Sequence, residues 1–133
     1  MSPGPGTSGL EPGISFELSN TVTTEMSARH IGSGDVGVLS TPTMIGMMEG
    51  ASTRCVQPYM EEGYTTVGYI VNIRHLAPTP IGNQVTVTSR LDEIDGRRLK
   101  FFVQAREGDK VVGQGEHVRV VIDTAKFLEQ SND

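Results

Sequence analysis

Glu49 and His75 are the side chains whose type and placement suggest chemistry. Glu49 lies within Thr41–Gln57, where Met44, Met48, Ala51 and Cys55 recur at helical spacing with Ile45, Ser52 and Val56 beside them. It borders that apolar stripe, so it is either a solvated edge residue or a carboxylate in a partly dry site. A poorly solvated carboxylate is the better base or nucleophile. His75 closes the alternating stretch Thr65–His75, on the parity of Val67, Tyr69, Val71 and Ile73. It either holds a loop by a hydrogen bond or takes and gives protons near neutral pH. His117 in the last strand reads as a cross-strand partner, with Glu116 on the opposite face, and His30 in a Gly-rich loop reads as solvated. Three isolated histidines lack metal-ligand spacing, so no metal and no cofactor is expected. The chain carries no Gly-x-Ser-x-Gly elbow, no P-loop and no GxGxxG after a strand.

The elements that must position these residues fit one domain, since 133 residues can enclose one core but hardly two. The net charge of -5 argues against nucleic acid or an anionic membrane surface as partner. No apolar run is long enough to span a bilayer, and the N-terminus shows neither a basic patch nor an apolar h-region. A cytoplasmic protein is expected. Cys55, the single cysteine, lies on the helix stripe and reads as a small buried apolar group.

Met1–Gly13 is rich in Gly, Pro and Ser and predicts a flexible lead before a domain over residues 14–133. Ile14–Leu18 alternates as a strand, and Asn20–Met26 suits a second strand or a continuation of the first. Arg29–Val38, with three glycines, predicts a loop. Thr41 can cap the long helix, with Pro42 at its first turn. Gly46 and Gly50 cost that helix roughly 1 kcal/mol each relative to alanine, tolerable where another backbone or a ligand comes close. Past Pro58 the pattern is β: Thr65–His75, then a break at Pro78 and Pro80, then Gln84–Ile94, Arg98–Arg106 and Val111–Ile122. Asp95-Gly96 and Gly108-Asp109 mark tight hairpins, which enforce antiparallel pairing. Thr124–Gln130 suits a short terminal helix or a tail. A helix apolar over much of its circumference needs cover on more than one side, which a twisted antiparallel sheet curling round it supplies. The predicted class is therefore α+β, the hot-dog arrangement. An open sheet edge makes a symmetric dimer the economical solution.

Three stretches taken together resemble a known family. They are Val38-Leu-Ser-Thr-Pro-Thr-Met-Ile-Gly-Met-Met-Glu49, Gly68 followed by Arg74-His-Leu-Ala-Pro-Thr-Pro80, and Gly115-Glu-His-Val-Arg119. Their order and spacing are similar to the hot-dog thioesterases typified by fluoroacetyl-CoA thioesterase, over roughly residues 14–127. The resemblance implies that Thr41, Glu49 and His75 form a catalytic set. It implies that the backbone N–H of Gly68 helps to position the thioester carbonyl, and that Arg119 lies near the acyl-CoA. It further implies hydrolysis of an acyl-CoA by a dimer, or a pair of dimers, with sites near the subunit interface and no metal.

Within that frame Glu49 would attack the thioester carbon or draw a proton from water, and His75 would protonate the leaving thiolate or activate the water. In a continuous helix Thr41 and Glu49 are about 12 Å apart along the axis, so they meet only through a folded-back chain or a second subunit. Ser52 and Thr53 offer hydroxyls one turn beyond Glu49. The fluoroacetyl-specific members carry lid phenylalanines ahead of the helix. Ala28–Ser40 holds none, which implies a broader or different acyl group, a short chain in the simplest case. A non-catalytic acyl-CoA or small-ligand binding protein on the same fold is the rival reading. A hydratase is the third, but the Tyr-x-x-Ser-Gly-Asp-x-Asn-Pro-x-His segment of such enzymes is missing.

Overall fold

The computed structural model describes residues 4–131, and any account of Met1–Pro3 or of the last two residues lies outside it. In chain order the elements are β1 (Ser15–Thr21), α1 (Ala28–Ile31), α2 (Thr41–Val56), β2 (Tyr64–His75), β3 (Gln84–Asp95), β4 (Arg98–Glu107), β5 (Lys110–Asp123) and α3 (Thr124–Ser131). The five strands form one antiparallel sheet in the order β1-β3-β4-β5-β2, so β1 and β2 are its edges. The sheet wraps α2, as the apolar circumference of that helix requires. Met44, Met48, Ala51 and Val56 are sealed against Val85, Val87 and Leu91 of β3, Leu99, Phe101 and Val103 of β4, and Val112 and Val121 of β5. Cys55 is buried with them. No helix among the described residues is long and apolar enough to cross a membrane.

Several local expectations change. The cap of α2 is Ser40, whose Oγ accepts from the Thr43 N–H at 3.1 Å. Thr41 is thus the first helical residue, and its hydroxyl is free for other work. Asn20–Met26 is not a second strand: β1 runs to Thr21, and a single 3-10 turn over Thr24–Met26 follows. The predicted loop contains α1, capped by Ser27, before Gly32 turns the chain at a φ of 79°. The segment then runs on to bridge Val38 with Pro80. The β3–β4 hairpin turns on Gly96 and Arg97, one residue later than expected, because Asp95 and Arg98 pair.

The described part of the lead is docked on the domain rather than loose. Gly4 N–H donates to Gly96 O, Ser8 N–H to Tyr59 O and Gly13 N–H to Leu91 O, and Leu10 is buried. Leu10 supplies the reason, as an apolar anchor within a stretch whose composition alone favours disorder.

Three register shifts interrupt the ladders, and two of them, in β2 and β3, change the predicted faces. In β2 the register shifts between Gly68 and Ile70, so Tyr69 is the extra residue, without a partner on β5. One inserted residue flips the faces. By parity Thr66 and Gly68 lie on the α2 side before it and Val71, Ile73 and His75 after it, with Val71 still 46% exposed at the open edge. The predicted common face is therefore split: Tyr69 turns outward, 55% exposed, its ring under the Arg98 guanidinium. A second shift between Leu91 and Glu93 turns Glu93 out and Ile94 in. On β5, a Cβ at Gly113 would lie 2.5 Å from Met44 Sδ, so the bare glycine is what lets α2 sit this close beside His75, its register partner.

Candidate active site

The structure gathers the sequence-predicted residues into two clusters along α2. The first lies at the helix N-terminus. With Ser40 as cap, Thr41 turns its Oγ1 to His75 Nδ1 at 2.7 Å, joining the start of α2 to the end of β2. Burial pushes the His75 pKa down, and the backbone at Ala77 offsets part of that. The imidazole is therefore neutral near pH 7. Its Nε2 is buried and has no hydrogen-bond partner among the described residues. A cavity of about 320 Å³ opens beside it, lined by Ala28, Ser33, Val38, Leu39, Leu76, Ala77 and Pro78 around Thr41 and His75. Where the Thr41 hydroxyl donates to Nδ1, Nε2 carries the ring proton and can donate a hydrogen bond to a substrate atom. In the other tautomer Nε2 is the base.

The second cluster lies two turns along the helix. The Glu49 carboxylate sits over Gly68, where an added Cβ would be 2.8 Å from Oε2. Glu49 Oε2 is 3.5 Å from Arg119 Nη1, with the guanidinium nearly buried and the carboxylate side chain 41% exposed. Arg119 is fixed by Thr66: its Nε donates to Oγ1 at 2.8 Å and its Nη2 to the carbonyl at 2.9 Å. Its Nη1 also lies 3.2 Å from His117 Nε2, while His117 Nδ1 is 2.7 Å from the Ile70 carbonyl just past the bulge. Burial pushes the pKa of Arg119 down, and Glu49 opposes this. Burial likewise lowers that of His117, where the Ile70 carbonyl opposes it and Arg119 adds to it.

Among the described residues no hydrogen bond or ion pair joins Glu49 to Thr41 or His75. The imidazole beside Glu49 is His117. Ser52 and Thr53 do not serve the carboxylate either. Ser52 Oγ bonds Met48 O and Ser89 Oγ inside the core, and Thr53 Oγ1 bonds the Glu49 backbone carbonyl. His30 is exposed, and among the described residues no cluster of His, Cys, Asp or Glu could hold a metal ion. His117 and Thr66 are the members that sequence reasoning missed. Their signal was parity: His117 and Arg119 share the inward face of β5 with Val121, and polar groups on a buried parity call for partners.

A hot-dog fold carrying a carboxylate at mid-helix and a hydroxyl–imidazole pair at the helix start defines a class, the hot-dog thioesterases. Known proteins of that class match the chain closely. The profile of the FlK family, described as fluoroacetyl-CoA-specific thioesterase, matches residues 22–125, and the chain belongs to that family. The fluoroacetyl-CoA thioesterase of Streptantibioticus cattleyicolor is 42% identical over 90 residues, which cover 68% of this chain and 65% of that protein. The chain thus spans just under two thirds of that relative's length. A structure of fluoroacetyl-CoA thioesterase FlK superposes with a TM-score of 0.87 at 34% identity, over 94% of this chain and 97% of the other. A Thermus thermophilus member of the thioesterase superfamily gives 0.85 at 31% identity, over 92% and 90% of the two chains.

Proposed function

We propose that this protein hydrolyses acyl-CoA thioesters to the free acid and CoA, with Thr41, Glu49 and His75 as working groups and Gly68 and Arg119 at the substrate. The observation that carries the reading is the bond from Thr41 Oγ1 to His75 Nδ1. It leaves Nε2 as an unspent, buried proton-transfer group at the wall of a largely aliphatic cavity. The thioester carbonyl carbon accepts an oxygen, either from water deprotonated by Glu49 or from the carboxylate itself. The C–S bond then breaks, and the CoA sulfur takes a proton through neutral His75, which passes on a proton it has first accepted: that of the attacking water, relayed from Glu49, or in the carboxylate route one from solvent. In the carboxylate route, water subsequently cleaves the mixed anhydride and frees Glu49. Arg119 draws the carboxylate into place, and the backbone N–H of Gly68 stabilises the oxyanion. Apart from Ser33, Thr41 and His75 the cavity lining is aliphatic, with no Phe or Tyr, which suits a short apolar acyl chain.

The working unit is a homodimer paired through β2. That strand is an open edge with Tyr69, Ile70 and Val71 exposed. Antiparallel pairing about Ile70 sets Gly68 of one copy on the His75 side of the other, which brings the two half-sites together across the interface. The test is thiol release from a panel of short and medium acyl-CoAs by wild type and Glu49→Gln. Wild-type turnover with a loss of about a hundredfold in the variant is expected. Equal turnover removes Glu49 from the chemistry, and no turnover by either protein favours a binding module.

A further inference from the structure

We propose that His117 is a positioning residue for this hydrolysis, locking the β2 bulge and the Arg119–Glu49 pair into one frame. The inference rests on the thioesterase reading and adds a residue that the catalytic set does not contain. His117 is fully buried, with its ring beside that of Phe101. An apolar side chain would fill such a site more cheaply, so its two polar contacts need a purpose. The Ile70 carbonyl can only accept, hence Nδ1 carries the proton. Nε2 is then a lone pair facing Arg119 Nη1, which can only donate. Both ring nitrogens are satisfied in this one neutral tautomer.

The consequences run in two directions. Through Nδ1 the ring holds the strand immediately after the extra residue, Tyr69, and so fixes where Gly68 lies under the Glu49 carboxylate. Through Nε2 it holds Nη1, the one guanidinium nitrogen that Thr66 leaves unclaimed and the one nearest Glu49 Oε2. The charged groups facing the imidazole are Arg119 on β5 and Glu49 on α2; Ile70 on β2 and Phe101 on β4 bring none. Protonation at Nε2 would set two donors against each other 3.2 Å apart and release the clamp.

The experiment uses two near-isosteric variants of the full chain. In His117→Asn the amide reaches the Nδ1 position and keeps the donor to Ile70, but Arg119 loses its acceptor. In His117→Gln the amide reaches the Nε2 position and keeps that acceptor. With acyl-CoA substrate, His117→Asn is expected to lower kcat at least about tenfold with KM little changed, as misplacement of a working group does. His117→Gln is expected to recover most of that loss. As the pH falls below the ordinary histidine value, kcat should fall more steeply in wild type than in His117→Gln, which keeps the titration of His75 but has lost that of His117.

The proposal is overturned if both variants keep wild-type kcat, or if both lose kcat only in step with their folded fraction by thermal melting. Absence of turnover in the wild type would refute the thioesterase reading instead. Ring 15N shifts then still decide the frame: a protonated Nδ1 and bare Nε2 support it, and the opposite tautomer overturns it.

Discussion

At residue scale, Gly68 shows how a missing side chain can be part of a site. A methyl group there would meet Glu49 Oε2 at 2.8 Å, and the atom in its way is the free end of a flexible side chain rather than backbone. Gly68→Ala should therefore leave the melting temperature nearly unchanged while pushing the carboxylate off Arg119. A drop in kcat/KM of roughly ten- to a hundredfold is expected, against a thermal midpoint within a degree or two of wild type. A large loss of stability would show that Gly68 serves the strand rather than the carboxylate. Residue type and spacing singled out Glu49 and His75 as candidates beside an equally plain structural role for each, and the family resemblance is what joined them into one set; the structure sets them in two clusters along α2. Thr41 was legible as a helix opener, but Ser40 took the capping role. Two hydroxyls side by side can each cap, and only the backbone decides which does.

At element scale, the strands and the long helix followed from period and turn signals, whereas the faces of β2 and β3 did not. A bulge adds one residue without any mark in hydrophobic periodicity, so every parity assigned across it inverts. That single step concealed Thr66 as a partner of the site and placed Tyr69 on the wrong side of the sheet. The contact between α2 and the sheet makes the next prediction. Gly113 lies under Met44, and an added Cβ would also approach the Arg74 carbonyl at 3.2 Å. Met44 is fully buried and has nowhere to retreat. Gly113→Ala should cost about 1–3 kcal/mol by overpacking, seen as a thermal midpoint lower by several degrees. Because Gly113 pairs with His75 in register, the Thr41–His75 bond should suffer too. Unchanged stability would mean that α2 can lift off the sheet at little cost.

At the scale of the whole molecule, the proposed dimer rests on an open sheet edge, and the edges are β1 and β2. Ile70→Lys places a charge in the middle of the exposed β2 row and should yield a monomer by size-exclusion chromatography with turnover lost in parallel. A fully active monomer would show that each chain holds a complete site. The other global property is acid sensitivity. His75 and His117 both have folded-state pKa values held below the ordinary 6.5, in each case chiefly by burial. Between that value and the lower folded-state values the unfolded chain binds more protons than the native one, so stability rises with pH there. The contribution is complete above pH 6.5 and is lost as the pH falls through the unfolded value toward the folded ones. Urea unfolding at pH 7.5, 6.0 and 5.0 should show a midpoint that falls with each step. Replacing His117 by Gln removes one of the two titrations, so the variant's midpoint should fall less steeply over the same range even if it starts lower. Equal slopes in the two proteins would mean that His117 takes up its proton in the native state as readily as in the unfolded chain, and the buried clamp on Arg119 would then tolerate a charged ring.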